Sequence, residues 1–205
     1  MTRTHRKARG FTLVELLVAI GILAMVAVLG WRGLDGIVRA RVALTEQMEM
    51  TRGMQLAFAQ MQSDCEHAAD ATLLGRRPFL AQDDNRLTLI RTVFNENEPA
   101  RLQVVAYRLV NGNLLRRESA PTRDLLQLDA LWQASLSDTD PTPPVRLQGS
   151  VDSMGVLVWQ NNAWRKQPEG TPQGVPSSPV TGLQVVLAAR GYPQPLTKSF
   201  LLGSI

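Results

Sequence analysis

Residues 10–31 read GFTLVELLVAIGILAMVAVLGW, and from Phe11 to Trp31 this run of 21 residues holds a single charge, Glu15. An α-helix of about 20 apolar residues, rising ~1.5 Å per residue, spans a hydrocarbon core about 30 Å thick, so the run predicts a transmembrane helix. No later stretch reaches that length before a charge or a proline interrupts it. Ahead of it lie Arg3, Arg6, Lys7 and Arg9 with no acid among them, a bias that favours a cytoplasmic N-terminus even though Arg32, Arg39 and Arg41 weaken it. The remaining chain is then expected across the membrane. A cleaved signal peptide shares the basic-then-apolar pattern, but it needs small residues before the cut, and this run ends Val28-Leu29-Gly30-Trp31.

The chain of 205 residues carries 22 Lys+Arg and 18 Asp+Glu, a formal net charge of +4. The four basic residues of the first ten supply that excess, and the other residues hold 18 of each sign, so the basic balance does not describe a nucleic-acid surface. Cys65 is the only cysteine, which excludes an intramolecular disulfide, an iron–sulfur cluster and a cysteine-rich zinc site. The two histidines, His5 and His67, are too few for a histidine triad or a multi-histidine metal centre. There is no Gly-rich phosphate loop, nucleophile elbow or metal motif, and no spacing points to carboxylate catalysis. The expectation is a non-enzymatic chain without a cofactor. Its 44% hydrophobic and 20% charged residues fit a packed core rather than disorder.

From Trp31 to about Ala69 there is no proline, which allows one long helix. Met54, Phe58, Met61, Cys65 and Ala68 recur at four- and three-residue steps, the stripe of a helix buried along one face, with Leu34, Ile37, Val38, Leu44 and Met48 a looser version upstream. Cys65 reads as a buried thiol, and Gly30, Gly33 and Gly36 predict bending at the membrane exit. From Leu87 the period changes. Leu87 to Phe94, Leu102 to Val110, Leu114 to Arg117, Val156 to Trp159, Leu183 to Ala189 and Leu196 to Leu202 read as short strands. Asn111-Gly112 predicts a type I′ hairpin, and Gln160 to Ala163 a second hairpin. Periodicity leaves Leu125 to Gln133 open between helix and strand. Ser137 to Pro144 and Pro168 to Pro179 read as loops. Asp138 and Asp140 fall short of a calcium ligand set and, like Asp83-Asp84-Asn85, Glu96 and Glu98, read as surface turns.

Gly10-Phe11-Thr12-Leu13-Val14-Glu15, after a basic leader and before an apolar helix, resembles the cleavage and methylation signature of type IV prepilins and type II secretion pseudopilins. The resemblance implies an α+β, pilin-like fold in which a long N-terminal helix, its first part transmembrane, packs on a mostly antiparallel β-sheet head. It also implies that prepilin peptidase cuts after Gly10 and N-methylates Phe11, and that Glu15 acts in assembly. A carboxylate deep in lipid costs roughly 2.5–3.5 kcal/mol, and the cationic amine of a neighbouring subunit's first residue would neutralise it. A proton, or snorkelling to the bilayer edge, would serve the carboxylate without assembly.

The expected organisation is a cleaved leader at 1–10, a transmembrane segment at 11–32, an amphipathic continuation at 33–70 and a periplasmic β-rich head at 71–205. Trp31-Arg32-Gly33-Leu34-Asp35, Val105 to Leu109 and Leu114 to Arg117 further resemble the J-type minor pseudopilin of type II secretion. For that type the resemblance implies no metal or cofactor, a single-pass protein of the bacterial inner membrane, and partnership with I-type and K-type minor pseudopilins and the major pseudopilin. Their complex would sit at the tip of a periplasmic pseudopilus, prime its assembly and support export of folded proteins. A minor pilin of a type IV pilus, serving adhesion or DNA uptake, and a membrane-anchored periplasmic enzyme are the competing readings.

Overall fold

A computed structural model describes residues 11–75, 77–166 and 180–203. The chain divides into two units, residues up to Met48 and residues from Glu49 onwards. The elements, in order, are α1 (Leu13–Glu66), α2 (Ala71–Leu74), β1 (Leu80–Asp83), β2 (Arg86–Val93), β3 (Arg101–Val110), β4 (Asn113–Glu118), α3 (Leu125–Leu136), β5 (Val145–Gln148), β6 (Val151–Gln160), β7 (Ala163–Arg165), β8 (Gly182–Ala189) and β9 (Leu196–Leu201). This is the expected α+β arrangement, a long apolar N-terminal helix followed by antiparallel sheets. The expected leader and the loop at Pro168 to Pro179 lie outside the described residues.

The first unit is the N-terminal part of α1. Its large apolar side chains from Phe11 to Val42, Trp31 and Leu34 among them, are exposed around the whole helix, and α1 contains a stretch long and apolar enough to cross a membrane. Helical structure continues through Gly30, Gly33 and Gly36, where bending was expected.

In the second unit α1 buries one stripe, Met54, Ala57, Met61, Asp64 and Cys65. Those steps of three and four keep the residues on one helix face. The helix stops at Glu66 because the chain beyond it is captured by β2. The Ala69 amide donates to the Ile90 carbonyl and the Thr92 amide to that of His67, occupying the edge of β2 that β1 leaves free.

Two antiparallel sheets follow, ordered β1-β2-β3-β4-β5 and β7-β6-β8-β9. One face of the first sheet, with Leu87, Leu89, Val105, Tyr107 and Leu114, shares a core with the α1 stripe and with Met154, Val156, Leu183, Val185 and Leu187 of the second. Its other face, with Ile90, Leu102 and Val104, packs on Leu128 and Trp132 of α3. Burial on both faces gives β2 and β3 continuous buried stretches that include Thr88 and Gln103, whereas β8, buried on one face, alternates. The Tyr192 hydroxyl lies 3.1 Å from Thr51 Oγ1, and Lys198 Nζ donates to Gln62 Oε1 at 3.1 Å, tying the second sheet to α1.

The predicted strands are present with ends shifted by up to a few residues, and β6 runs further upstream than Val156. Both hairpins form: Asn111 and Gly112 have φ of 49° and 74°, Asn161 and Asn162 of 51° and 62°. That positive pair is what a type I′ turn requires. The undecided segment at Leu125 is helix. Asp124 accepts the Leu126 amide at 2.8 Å as N-cap, and Leu128, Trp132 and Ser135 share the buried face. Strands β1 and β5 were not anticipated; they are short edge strands whose existence depends on their partners.

Met61→Ala empties a fully buried site and is expected to cost about 2–5 kcal/mol in urea unfolding followed by tryptophan fluorescence. Leu56→Ala, on the exposed side of the same helix, should stay within about 0.5 kcal/mol.

Candidate functional site

Two polar constellations lie on α1. At its start Thr12 and Glu15 cap the helix reciprocally. Glu15 Oε2 accepts the Thr12 amide at 3.0 Å and the Thr12 hydroxyl at 2.9 Å, while Thr12 Oγ1 accepts the Glu15 amide at 3.3 Å. Thr-x-x-Glu with the threonine immediately before the first helical residue is a capping box, which satisfies amides that have no partner within the helix. A negative group in the first turn also faces the positive end of the helix dipole. Among the described residues nothing hydrogen-bonds Glu15 Oε1. Phe11 is 86% exposed, and Gly10 lies outside the described residues. The capping role was legible in the spacing of Thr12 and Glu15, although the sequence reading weighed Glu15 only as a charge.

The second constellation was not anticipated. Asp64, on the buried stripe, is 0% exposed. Arg91 from β2 donates to its Oδ1 at 2.8 Å, and Arg116 from β4 donates to Oδ2 at 2.8 Å and to Oδ1 at 3.0 Å. The Tyr107 hydroxyl from β3 donates to Oδ2, and Gln60 Nε2 reaches Oδ1 at 3.3 Å. Glu118 then accepts from Arg116 at 2.6 Å, and Gln103 Oε1 accepts from Arg91 Nε at 3.0 Å. The four ionic groups sum to zero charge. Burial, reinforced by the negative Asp64, pushes the Tyr107 phenol up, so it stays a hydrogen-bond donor. Burial alone would lower the Arg116 pKa, but hydrogen bonds and attraction to Asp64 outweigh it and hold the guanidinium charged. An acid inside the Met54–Ala68 stripe was the available signal.

Several of the remaining acids pair within the fold. Asp138 pairs with Arg108 at 2.6 Å and with Arg117 at 2.9 Å, and buried Asp140 accepts the Thr142 amide at 2.8 Å. Glu98 pairs with Arg101, and Asp84 with Lys166. The His67 ring Nδ1 lies 2.8 Å from the Ser63 carbonyl. Among the described residues no cluster of three or more His, Cys, Asp and Glu could hold a metal ion. A cavity of ≈ 390 Å³ is lined by Trp159, Trp164, Thr181, Gly182, Ser199, Phe200 and Leu201, without a titratable side chain. Burial, followed by the negative Asp64 and Glu66, pushes the Cys65 thiol up from 9.0 to about 12.

Comparison with known proteins divides the chain at the end of the apolar run. The prokaryotic N-terminal methylation motif matches residues 5–31, and the family of type II secretion system protein J matches residues 32–195. A relative from Klebsiella pneumoniae, described as type II secretion system protein J, is 26% identical over 212 residues, covering 96% of each chain.

Asp64→Ala strands Arg91 and Arg116 in a buried site and should cost about 3–5 kcal/mol in chemical unfolding. The Cys65 thiol should resist a thiol reagent at about pH 8 until the chain unfolds. Because the folded chain holds this proton where an unfolded chain releases it, stability should fall as pH rises from 9.0 towards about 12, and Cys65→Ala should reduce that loss.

Proposed function

The chain belongs to the type II secretion system protein J family, and from that membership we propose that it is cleaved, anchored and assembled as a minor pseudopilin. The observation that carries this reading is the succession of the two matches, the methylation motif ending at residue 31 and the protein J family beginning at 32. Cleavage falls between Gly10 and Phe11. It removes Arg3, Arg6, Lys7 and Arg9 with the leader and leaves side chains with 18 charges of each sign. Prepilin peptidase makes the cut and methylates the Phe11 amine.

The segment 11–32 stays in the inner membrane with its N-terminus cytoplasmic, the helix continues to about residue 70, and the head at 71–205 lies in the periplasm. Arg3, Arg6, Lys7 and Arg9 support this orientation, since before the cut they favour the side where positive charge is retained. With Oε2 engaged by Thr12, Glu15 keeps Oε1 for the cationic amine of an adjacent subunit. Pairing the two charges removes the cost of each in lipid, so it favours helices that slide together out of the bilayer. The I-type and K-type minor pseudopilins are the partners at the pseudopilus tip, with the major pseudopilin below. The complex primes the fibre that supports export of folded proteins.

N-terminal mass spectrometry of the membrane-extracted chain should find N-methylated Phe11 as the first residue; an intact Met1 or a cut beyond Gly30 would overturn the processing scheme. Gly10→Val should leave the leader attached. Glu15→Ala should be processed normally yet lose co-purification with the I-type and K-type subunits. Glu15→Gln keeps an oxygen for Thr12 while losing the charge, so it should fail as Ala does; recovery with Gln would reduce Glu15 to a helix cap.

A further inference from the structure

Trp31-Arg32-Gly33-Leu34-Asp35 closes the apolar run, and neither the processing site nor the head accounts for it. Within the first unit Trp31 is 73% exposed. Arg39 pairs with Asp35 one turn before it, whereas Arg32 forms no ion pair among the described residues. Arg32 and Arg39 are seven residues apart, nearly two turns, so both lie on one helix face with Asp35 close between them. With the Asp35 carboxylate held by Arg39, the three groups carry one net positive charge at the apolar boundary. Gly36, one turn further on from Arg32, would meet no atom within 4 Å even with a Cβ added, so the helix surface at that position is open.

Along α1, Thr12 and Arg32 are about 30 Å apart at ~1.5 Å per residue, which matches the thickness of a hydrocarbon core. One end of that span is the polar capping box; the other is a tryptophan next to a free arginine. An indole is favoured at the boundary between acyl chains and headgroups. A guanidinium presents a planar fork that fits two oxygens of a phosphate.

We propose that Trp31 and Arg32 form a lipid-binding collar that holds an anionic phospholipid headgroup and thereby fixes the depth of α1 in the bilayer. The collar rests on the anchored reading of α1 and adds to it a determinant of depth. Glu15 lies seventeen residues from Arg32, about 26 Å along the helix, so seating Arg32 among phosphates also seats the Glu15 carboxylate near the opposite polar boundary. There it escapes the full cost of the bilayer centre while unpaired.

The full chain is reconstituted in vesicles of phosphatidylethanolamine with phosphatidylglycerol, or of phosphatidylcholine alone, each brominated at a shallow or a deep acyl position. Quenching lost in Trp31→Phe is assigned to Trp31, because Trp132, Trp159 and Trp164 are unchanged in that variant. With phosphatidylglycerol present the shallow bromine should quench Trp31 most. Arg32→Leu should shift maximal quenching to the deep bromine, and Arg39→Gln should not. An Arg32→Leu profile equal to wild type would overturn the collar. A wild-type profile identical in phosphatidylcholine and phosphatidylglycerol would overturn its anionic specificity. Absence of both quenching and co-flotation with vesicles would overturn the anchored reading itself, and the collar with it.

Discussion

Asp64 has no surface in contact with water, and a carboxylate in such a place is tolerable only when its charge is met. The groups that meet it come from three successive strands, Arg91 on β2, Tyr107 on β3 and Arg116 on β4. One side chain of α1 therefore fixes where the helix lies along the sheet. The apolar stripe alone would specify that register loosely, because Met54 and Met61 are adaptable side chains that repack readily and Ala57 is small. A slide of one helical turn, about 5.4 Å, would carry the Asp64 carboxylate away from both guanidiniums and the phenol at once. Replacing a buried ion cluster with apolar residues of similar volume is often neutral for stability, so what the cluster supplies is a unique arrangement more than extra stability.

The same helix carries its other constellation under the opposite conditions. Glu15 is exposed, and its carboxylate is committed on one oxygen to the amide and hydroxyl of Thr12. The cap satisfies the Thr12 and Glu15 amides within the first turn, and the Leu16 amide donates to the Thr12 carbonyl. Between the capping box and Arg32 the helix is apolar around its whole circumference; beyond Glu49 a single stripe is buried against sheet. A sequence apolar on all sides suits lipid or close-packed helices, whereas a stripe suits one fixed neighbour. The family boundary at residue 31 falls where the apolar run ends.

Much of this was legible because it rests on local rules. The apolar run, the absence of proline before Pro78, the stripe from Met54 to Cys65 and the Asn111-Gly112 turn each act within a few residues of chain. The N-terminal methylation motif at residues 5–31 was readable for the same reason, since its residues follow one another in the chain. What escaped depends on distant partners. Strands β1 and β5 exist because β2 and β4 offer edges, and neither Leu80 to Asp83 nor Val145 to Gln148 declares a period of its own. The Asp64 cluster joins residues 27, 43 and 52 positions apart, a separation at which no pattern in the sequence names the partner. Asp124 caps α3, but the leucines that follow it suit a strand equally well until the Trp132 and Leu128 contacts on the sheet select the helix.

Several of the head's arginines act as clamps between elements. Arg91 and Arg116 hold α1, Arg108 and Arg117 hold Asp138, and Arg86 and Arg108 donate to the Leu136 and Ser135 carbonyls at the end of α3. Those last bonds place cations at the negative end of a helix dipole, where free carbonyls need donors. Proximity to Arg86 and Arg117, after burial itself, draws the Arg108 pKa down, and Asp138 offsets part of that repulsion. A net charge near zero after the leader thus conceals charges that are closely paired inside the fold. Against that background an arginine with no carboxylate, set beside a tryptophan at the end of an apolar helix, differs in kind from the clamps. In the proposed collar its counter-ion is lipid phosphate, the abundant oxyanion at that level of a bilayer.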